Sequence, residues 1–310
     1  NDNGILNWFE RLRRNIGDEL SGLTIEPKID GVAVSIMYRD GILEYAATRG
    51  DGSTGDDITQ NIKTIRAVPL KLPAGAPSTF EVRGEAFIHN EDFNKLNEKR
   101  HSSGLASFIN PRNATAGTLK QLDSSIVSKR PLDIIFHSFG AVNPSTFTTI
   151  SQFHELLPEL SLQCDKWFRF ANNIEELRDA IKELDQDRHN FSYATDGAVI
   201  KVNRISLHNQ LGSTSKYPRW ACAFKFCPEQ KETLLNSIPR KIESLRCLPD
   251  LKSFQVELIK DISTIYNLIT TKKDLNGLAQ RRILFALEYF NKIEDEIPDQ
   301  LPWVGYLDDA

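Results

Sequence analysis

Long apolar runs are missing from this 310-residue chain: no stretch is long enough to cross a bilayer, and the start carries no signal peptide. A membrane partner is not expected, and a cytoplasmic location is the default expectation. Cysteine is scarce, with residues only at 164, 222, 227 and 247. Their spacing offers neither a zinc knuckle nor a disulfide framework, so reduced thiols are expected. Methionine is nearly absent, Met37 standing alone in a chain that starts with asparagine, so these residues are expected to be a fragment or a processed product. No internal repeat or low-complexity stretch is visible, which excludes a repeat architecture. Nor does charge of one sign dominate: a net charge of -4 does not by itself point to nucleic acid.

What is present suits a soluble enzyme. A hydrophobic content of 40% can bury a real core, and the length predicts two domains. Helical spacing predicts an opening helix over Trp8 to Leu20 and others over Glu91 to Arg100, Ala114 to Leu122 and Ile174 to Asp185. Strands and hairpins are predicted over Leu23 to Thr48 and Phe80 to Ile88, and strands over Leu132 to Ala141, Gly197 to Val202 and Trp220 to Phe226. Such mixing predicts an α+β fold with antiparallel sheets.

The hexapeptide Glu26-Pro27-Lys28-Ile29-Asp30-Gly31 lies between the apolar run Leu23 to Ile25 and the alternating run Val32 to Tyr38. Its Asp-Gly pair is a turn signal, and a strand-to-strand corner with no chemistry is the plain reading. A second Asp-Gly hairpin signal stands at Asp196-Gly197. Three lysines, Lys28, Lys201 and Lys225, are flanked by apolar residues and are expected on or beside strands, where lysine is seldom buried without a purpose. One of them could serve as a nucleophile if neighbouring cations helped it lose its proton, and those cations would then stabilise a phosphoryl group in transfer. Attack on the α-phosphorus of a dinucleotide would leave a phosphoramide-linked adenylate.

The run Glu26 to Val34, followed by Ala47-Thr48-Arg49-Gly50-Asp51-Gly52-Ser53-Thr54-Gly55-Asp56-Asp57-Ile58-Thr59, resembles the adenylation domain of bacterial NAD-dependent DNA ligases. The likeness continues through Glu81-Val82-Arg83-Gly84-Glu85, Asn110-Pro111-Arg112-Asn113-Ala114-Thr115-Ala116-Gly117, Asp196 to Lys201 and Pro218 to Phe226, in family order. It implies a nucleotidyltransferase (ATP-grasp-like) fold of antiparallel sheets with flanking helices over residues 1–238. It also implies Lys28 as the nucleophile adenylylated by NAD, with release of nicotinamide mononucleotide, for sealing nicks in duplex DNA. Glu26 would face the adenine or its ribose, and Asp30 would orient Lys28 and a magnesium ion. Arg49 would contact the nucleotide, and Glu85 would meet ribose hydroxyls or water around magnesium. Asp196 is a metal candidate, while Lys201 and Lys225 would bind and activate the phosphates. Arg112 would meet the nucleotide phosphate or the nicked DNA end. Each position also has a structural reading: an Asx turn for Asp30 and Asp196, a solvated strand residue for Glu85, a surface charge for Arg49, a hairpin loop for Gly50 to Gly55.

Two departures from the family pattern stand out. Lys120 occupies a position that usually holds arginine, which keeps the charge and loses the bidentate fork. His137 occupies the position of a tyrosine stacked on adenine; a histidine can stack and hydrogen-bond, or serve as a structural residue between Phe136 and Phe139. From Arg100 to Pro131, the bases Arg100, Arg112, Lys120, Lys129 and Arg130 stand against Asp123 alone, a stretch able to follow a phosphate backbone or to be a solvated loop.

The ends differ from the family. Neither the helical module that holds nicotinamide mononucleotide nor the OB-fold and four-cysteine zinc modules can be recognised in these residues. Residues 239–310 instead predict a small all-α domain, with helical periodicity over Leu251 to Ile269 and Leu275 to Ile293. Its ending, from Glu294 to Ala310, resembles the YkvA-like helical family, whose function is unknown, and the acids between Glu288 and Asp309 suit a solvated end better than a metal site. Nick sealing by these residues alone is therefore doubtful. The alternatives are a catalytically reduced ligase relative acting as a nucleotide-binding or interaction module and, further off, an RNA ligase or capping-type nucleotidyltransferase.

Overall fold

Alternating apolar residues build two four-stranded antiparallel sheets, and in each sheet one face is greasy and the other polar. The computed structural model describes residues 2–17, 20, 22–50, 54–214, 217–226, 229–246 and 253–271, with 279, 282–284, 286, 287 and 290. In chain order these form α1 (Asp2–Ile16), β1 (Leu23–Ile29), β2 (Val32–Arg39), β3 (Ile42–Thr48), α2 (Thr59–Ile62), β4 (Thr79–Ile88) and α3 (Asn90–Ser102). Next come α4 (Pro111–Leu119), α5 (Ser124–Val127), β5 (Leu132–Asn143), α6 (Ile150–Glu159), β6 (Arg169–Ala171) and α7 (Ile174–Asp187). A 3-10 turn at Arg188–Asn190 precedes β7 (Thr195–Val202), α8 (Ser206–Leu211), β8 (Ala221–Lys225), α9 (Glu229–Arg246) and α10 (Ser253–Thr271). The α+β architecture matches the expectation.

One sheet runs β6-β1-β7-β8 and the other β3-β2-β4-β5. Behind the first, Leu23, Ile25, Ala198, Ile200 and Val202 pack on Ile5, Trp8, Phe9, Leu12 and Ile16 of α1 and on Leu177, Ile181 and Leu184 of α7. These α1 positions fall on one helical stripe. The helix spans Asp2–Ile16 instead of Trp8 to Leu20, and it stops at Gly17, whose φ of +51° breaks the turn without strain. Behind the second sheet, Val34, Ile36, Tyr38, Phe80, Val82, Ile134 and Phe136 form the larger core with Ile62, Leu119 and Phe153. Ile29, Phe87, Ile135 and Tyr193, drawn from both sheets, make a separate small cluster.

The expected helix over Ala114 to Leu122 is displaced to Pro111–Leu119. Asn110 caps it by accepting from the Asn113 N–H at 2.8 Å, Pro111 occupies the first turn, and Asn61 Nδ2 captures the carbonyls of Leu119 and Gln121 at the far end.

The Asp-Gly pairs also depart from the sequence expectation. The β2–β3 hairpin is closed by Asp40-Gly41, both with positive φ (49° and 76°), as a tight primed turn requires. Asp30-Gly31 instead carries the chain from the end of β1 in one sheet to β2 in the other, and Asp196-Gly197 lies inside β7. Glycine is needed at both places for close approach. A Cβ on Gly31 would lie 2.3 Å from the Ala86 carbonyl oxygen, and one on Gly197 would lie 1.9 Å from that of Phe224.

Residues 1–226 and 227–310 are two compact units. The expected boundary at residue 238 falls inside α9, which pairs with α10 around Ile238, Ile242, Ile259 and Ile262. The acidic and YkvA-like ending, Cys227 and Cys247 lie outside the described residues, as do Asp51, Gly52 and Ser53 of the glycine-rich loop. Among the described residues, no helix is long and apolar enough to cross a membrane.

Candidate functional site

Strand parity places the three lysines together. With Leu23 and Ile25 facing the α1 core, Thr24, Glu26 and Lys28 point to the opposite face of β1. Lys28 pairs across the sheet with Gly197, and Gly197 pairs with Lys225; Lys201 pairs with Thr24. Lys28 and Lys225 therefore flank a residue with no side chain, on the same face as Glu26 and Lys201. Pro27 sits in this strand without breaking a ladder on the β6 side, since β6 pairs only with Leu23 to Ile25.

A β-bulge supplies the carboxylate. Lys28 faces Gly197 and Ile29 faces Thr195, so Asp196 is an extra residue in β7. In an unbroken strand Asp196 would share the apolar face of Ala198 and Ile200. The bulge re-aims it to the lysine face. There its oxygens accept from Lys28 Nζ at 2.6 and 2.8 Å, and Lys225 Nζ stands 3.8 Å away. Lys28 is mostly shielded while Lys225 is 72% exposed, so one ammonium is held in the wall and the other is free to meet a ligand.

The second sheet contributes another bulge. Gly84 faces Phe136 and Arg83 faces Ser138, which leaves His137 as the extra residue of β5. Its carbonyl, released from the ladder, accepts from Lys201 Nζ at 2.6 Å, while its ring Nε2 lies 3.9 Å from Glu85 Oε2. Lys201 also closes on Glu26 as an ion pair, with both side chains buried. Thus Lys201 joins the two sheets, with the carboxylate of β1 on one side and the bulge of β5 on the other.

The remaining expectations resolve individually. Asp30 accepts from Arg112 Nη1 at 2.9 Å, so the carboxylate that the structure places on Lys28 is Asp196 rather than Asp30. That hydrogen bond, with the charges of Asp30, Glu85 and Asp196, raises the Arg112 pKa despite some burial, which sets Arg112 among the site carboxylates. Lys120 pairs with Asp56 at 3.0 Å, both exposed, and Arg49 is exposed, with its backbone N–H bonded to the Ala33 carbonyl. Among the described residues, no group of three or more His, Cys, Asp and Glu forms a closed metal cage. Glu85 and Asp196 offer hard oxygen donors of the kind magnesium takes when phosphate and water complete its shell.

Sequence reasoning missed Tyr193 and Asp165. Tyr193 donates to an Asp165 oxygen in a buried hydrogen bond. No local motif marks either residue; only the fold brings positions 28 apart in sequence together.

This chain matches the family described as NAD-dependent DNA ligase adenylation domain over residues 1–229. It is 46% identical over 258 residues to a DNA ligase of Akkermansia muciniphila, covering 83% of this chain and 32% of that protein. A DNA ligase of Bacillus pumilus is 44% identical over 238 residues, covering 77% and 35%. The chain therefore spans about a third of the length of these curated relatives. A solved mycobacterial DNA ligase D complexed with ATP and MES is 15% identical, with a TM-score of 0.37 over 67% of this chain and 56% of that one, too loose a likeness to bear on the site. On the family match and these identities, the chain belongs to the NAD-dependent DNA ligase adenylation domains.

Proposed function

We propose that this chain performs the first step of an NAD-dependent DNA ligase: Lys28 takes AMP from NAD and holds it for a nick in duplex DNA. The observation that supports it most is the cross-strand row of Lys28, Gly197 and Lys225 beside the bulged Asp196. An ammonium cannot attack; the charge of Lys225, joined by that of a metal beside it, would drive the Lys28 proton to solvent, while Asp196, 2.6 Å from Lys28 Nζ, holds the nitrogen in place. The free amine forms a bond to the α-phosphorus, the bond from that phosphorus to the bridging oxygen breaks, and nicotinamide mononucleotide leaves with the bonding pair. Lys28 and Lys225 flank Gly197 on the same face, where Lys225, largely exposed, neutralises the developing charge on the phosphate.

The buried Glu26–Lys201 pair presents a carboxylate and an ammonium to the adenine or ribose, with His137 flanking them to stack or hydrogen-bond the base. Arg49 and Glu85 extend the nucleotide contacts. A magnesium ion held by Glu85 and Asp196 would supply charge neutralisation at the phosphates. Arg112 and Lys120 lie within the basic stretch and suit DNA phosphates. In the family pattern a separate helical module holds the nicotinamide mononucleotide half of NAD and an OB-fold serves the later sealing steps, and the 239–310 helices are assigned no part in the chemistry.

Incubation with magnesium and either NAD or ATP, followed by intact mass measurement, tests this reading. One added AMP from NAD, absent with ATP and absent in Lys28→Ala, is the expected result. No adduct in the unaltered chain would favour a nucleotide-binding module instead.

A further inference from the structure

The segment just before the Asp196 bulge packs beside the site without lining it. The Tyr193 ring packs in the cluster of Ile29, Phe87 and Ile135, which adjoin Lys28, Glu85 and His137 at one or two positions' remove. Its ring centroid lies 5.3 Å from that of Phe87 and 5.3 Å from that of Phe191. The next residue, Ala194, accepts from the Asp30 N–H at 2.9 Å, and Asp30 opens the crossover between the sheets. Ser192 ties the same segment to Asn90 and His89, and the Tyr193 hydroxyl adds a bond to Asp165.

Asp165 is itself held firmly. One carboxylate oxygen accepts from the Trp167 N–H at 2.7 Å, and its carbonyl accepts from His154 Nε2 at 2.9 Å. Burial raises its pKa, and the nearby Glu26 charge adds to that, against the hydrogen bonds from Tyr193 and Trp167. A buried carboxylate kept at such cost, facing a tyrosine inside a greasy cluster, could be replaced by an apolar pair if packing were its only task.

We propose that the Tyr193–Asp165 hydrogen bond is a positioning device: it fixes the Tyr193 wedge, and through the Ala194–Asp30 bond and the Ile29 contact it sets the attack geometry of Lys28. This rests on the adenylylation reading above. Neither residue touches the nucleotide. Loss of the bond lets the crossover drift and shifts Lys28 with it, and misplacement on the scale of 1 Å can slow a reaction about 100-fold.

The test compares Tyr193→Phe, Asp165→Ala, Asp165→Asn and the double variant Tyr193→Phe/Asp165→Ala in the full chain. Single-turnover formation of lysyl-AMP at saturating NAD is expected to slow by about 10- to 100-fold in Tyr193→Phe and Asp165→Ala, with the NAD dissociation constant from calorimetry unchanged within about twofold. Asp165→Asn keeps an acceptor oxygen and restores the rate, and the double variant is no slower than the slower single one. Amide hydrogen exchange at Asp30 accelerates in the two slow variants and not in Asp165→Asn. Unchanged rates with a lowered melting temperature, or multiplicative losses in the double variant, would overturn the proposal. If the unaltered chain forms no adduct, the adenylylation reading fails, while the exchange rate at Asp30 still decides whether the bond holds the crossover.

Discussion

Lys201 and Glu26 carry opposite charges where water scarcely reaches, with side chains 6% and 7% exposed. Such a pair adds little beyond a greasy substitute, but removing one partner strands the other charge. Lys201→Met is expected to lower unfolding free energy in urea by about 3–5 kcal/mol, and Glu26→Gln/Lys201→Met to recover most of it. Next to Lys201 lies His208, stacked on Trp220 at 3.9 Å and donating from Nε2 to the Val202 carbonyl. Burial, aided by the Lys201 charge, holds its pKa below the ordinary 6.5. The unfolded chain therefore binds a proton at His208 more readily, so the stability from its neutral form is complete above that value and lost as pH falls below it. Melting temperatures from pH 8 to pH 5 should fall less steeply in His208→Gln, because glutamine can donate to Val202 without titrating.

At the level of elements, the site is made by irregularities in otherwise regular strands. Gly197→Ala puts a methyl against backbone, not against a movable side chain, so β7 and β8 must part. A loss of about 1–3 kcal/mol is expected from denaturation curves. Slowed adenylylation should accompany it, because Lys28 and Lys225 flank that residue. The strands themselves were legible, since apolar alternation from Val34 to Tyr38 or from Ala198 to Val202 admits no other reading. The three lysines were legible for the same reason. The bulges were not: Asp196 and His137 owe their direction to the register of a partner strand far away in sequence, and nothing local encodes that. Asp-Gly shows the limit well. The same dipeptide makes a hairpin at residue 40, a crossover at 30 and a strand interior at 196, and only the neighbouring backbone decides.

For the whole molecule, the net charge of -4 conceals a local basic stretch, so the proposed affinity for nicked duplex should depend on salt through a few lysines and arginines. Lys120→Ala is expected to weaken binding across all sequences and to reduce the slope of log affinity against log salt by about one, measured by fluorescence anisotropy. Arg112, tied to Asp30 and surrounded by carboxylates, should give a mixed result, with adenylylation falling along with DNA affinity.

The passage between the two sheets at Asp30-Gly31 also bears on how a dinucleotide enters. Lys28, the proposed nucleophile, lies two residues before this passage, and the Gly31 backbone presses so closely on Ala86 that no side chain fits between them. Spreading of the sheets to admit a large ligand would bend the chain at these two residues, directly after the strand that carries Lys28. On the adenylylation reading, admission of the ligand and aim of the amine would then share a single mechanical coordinate.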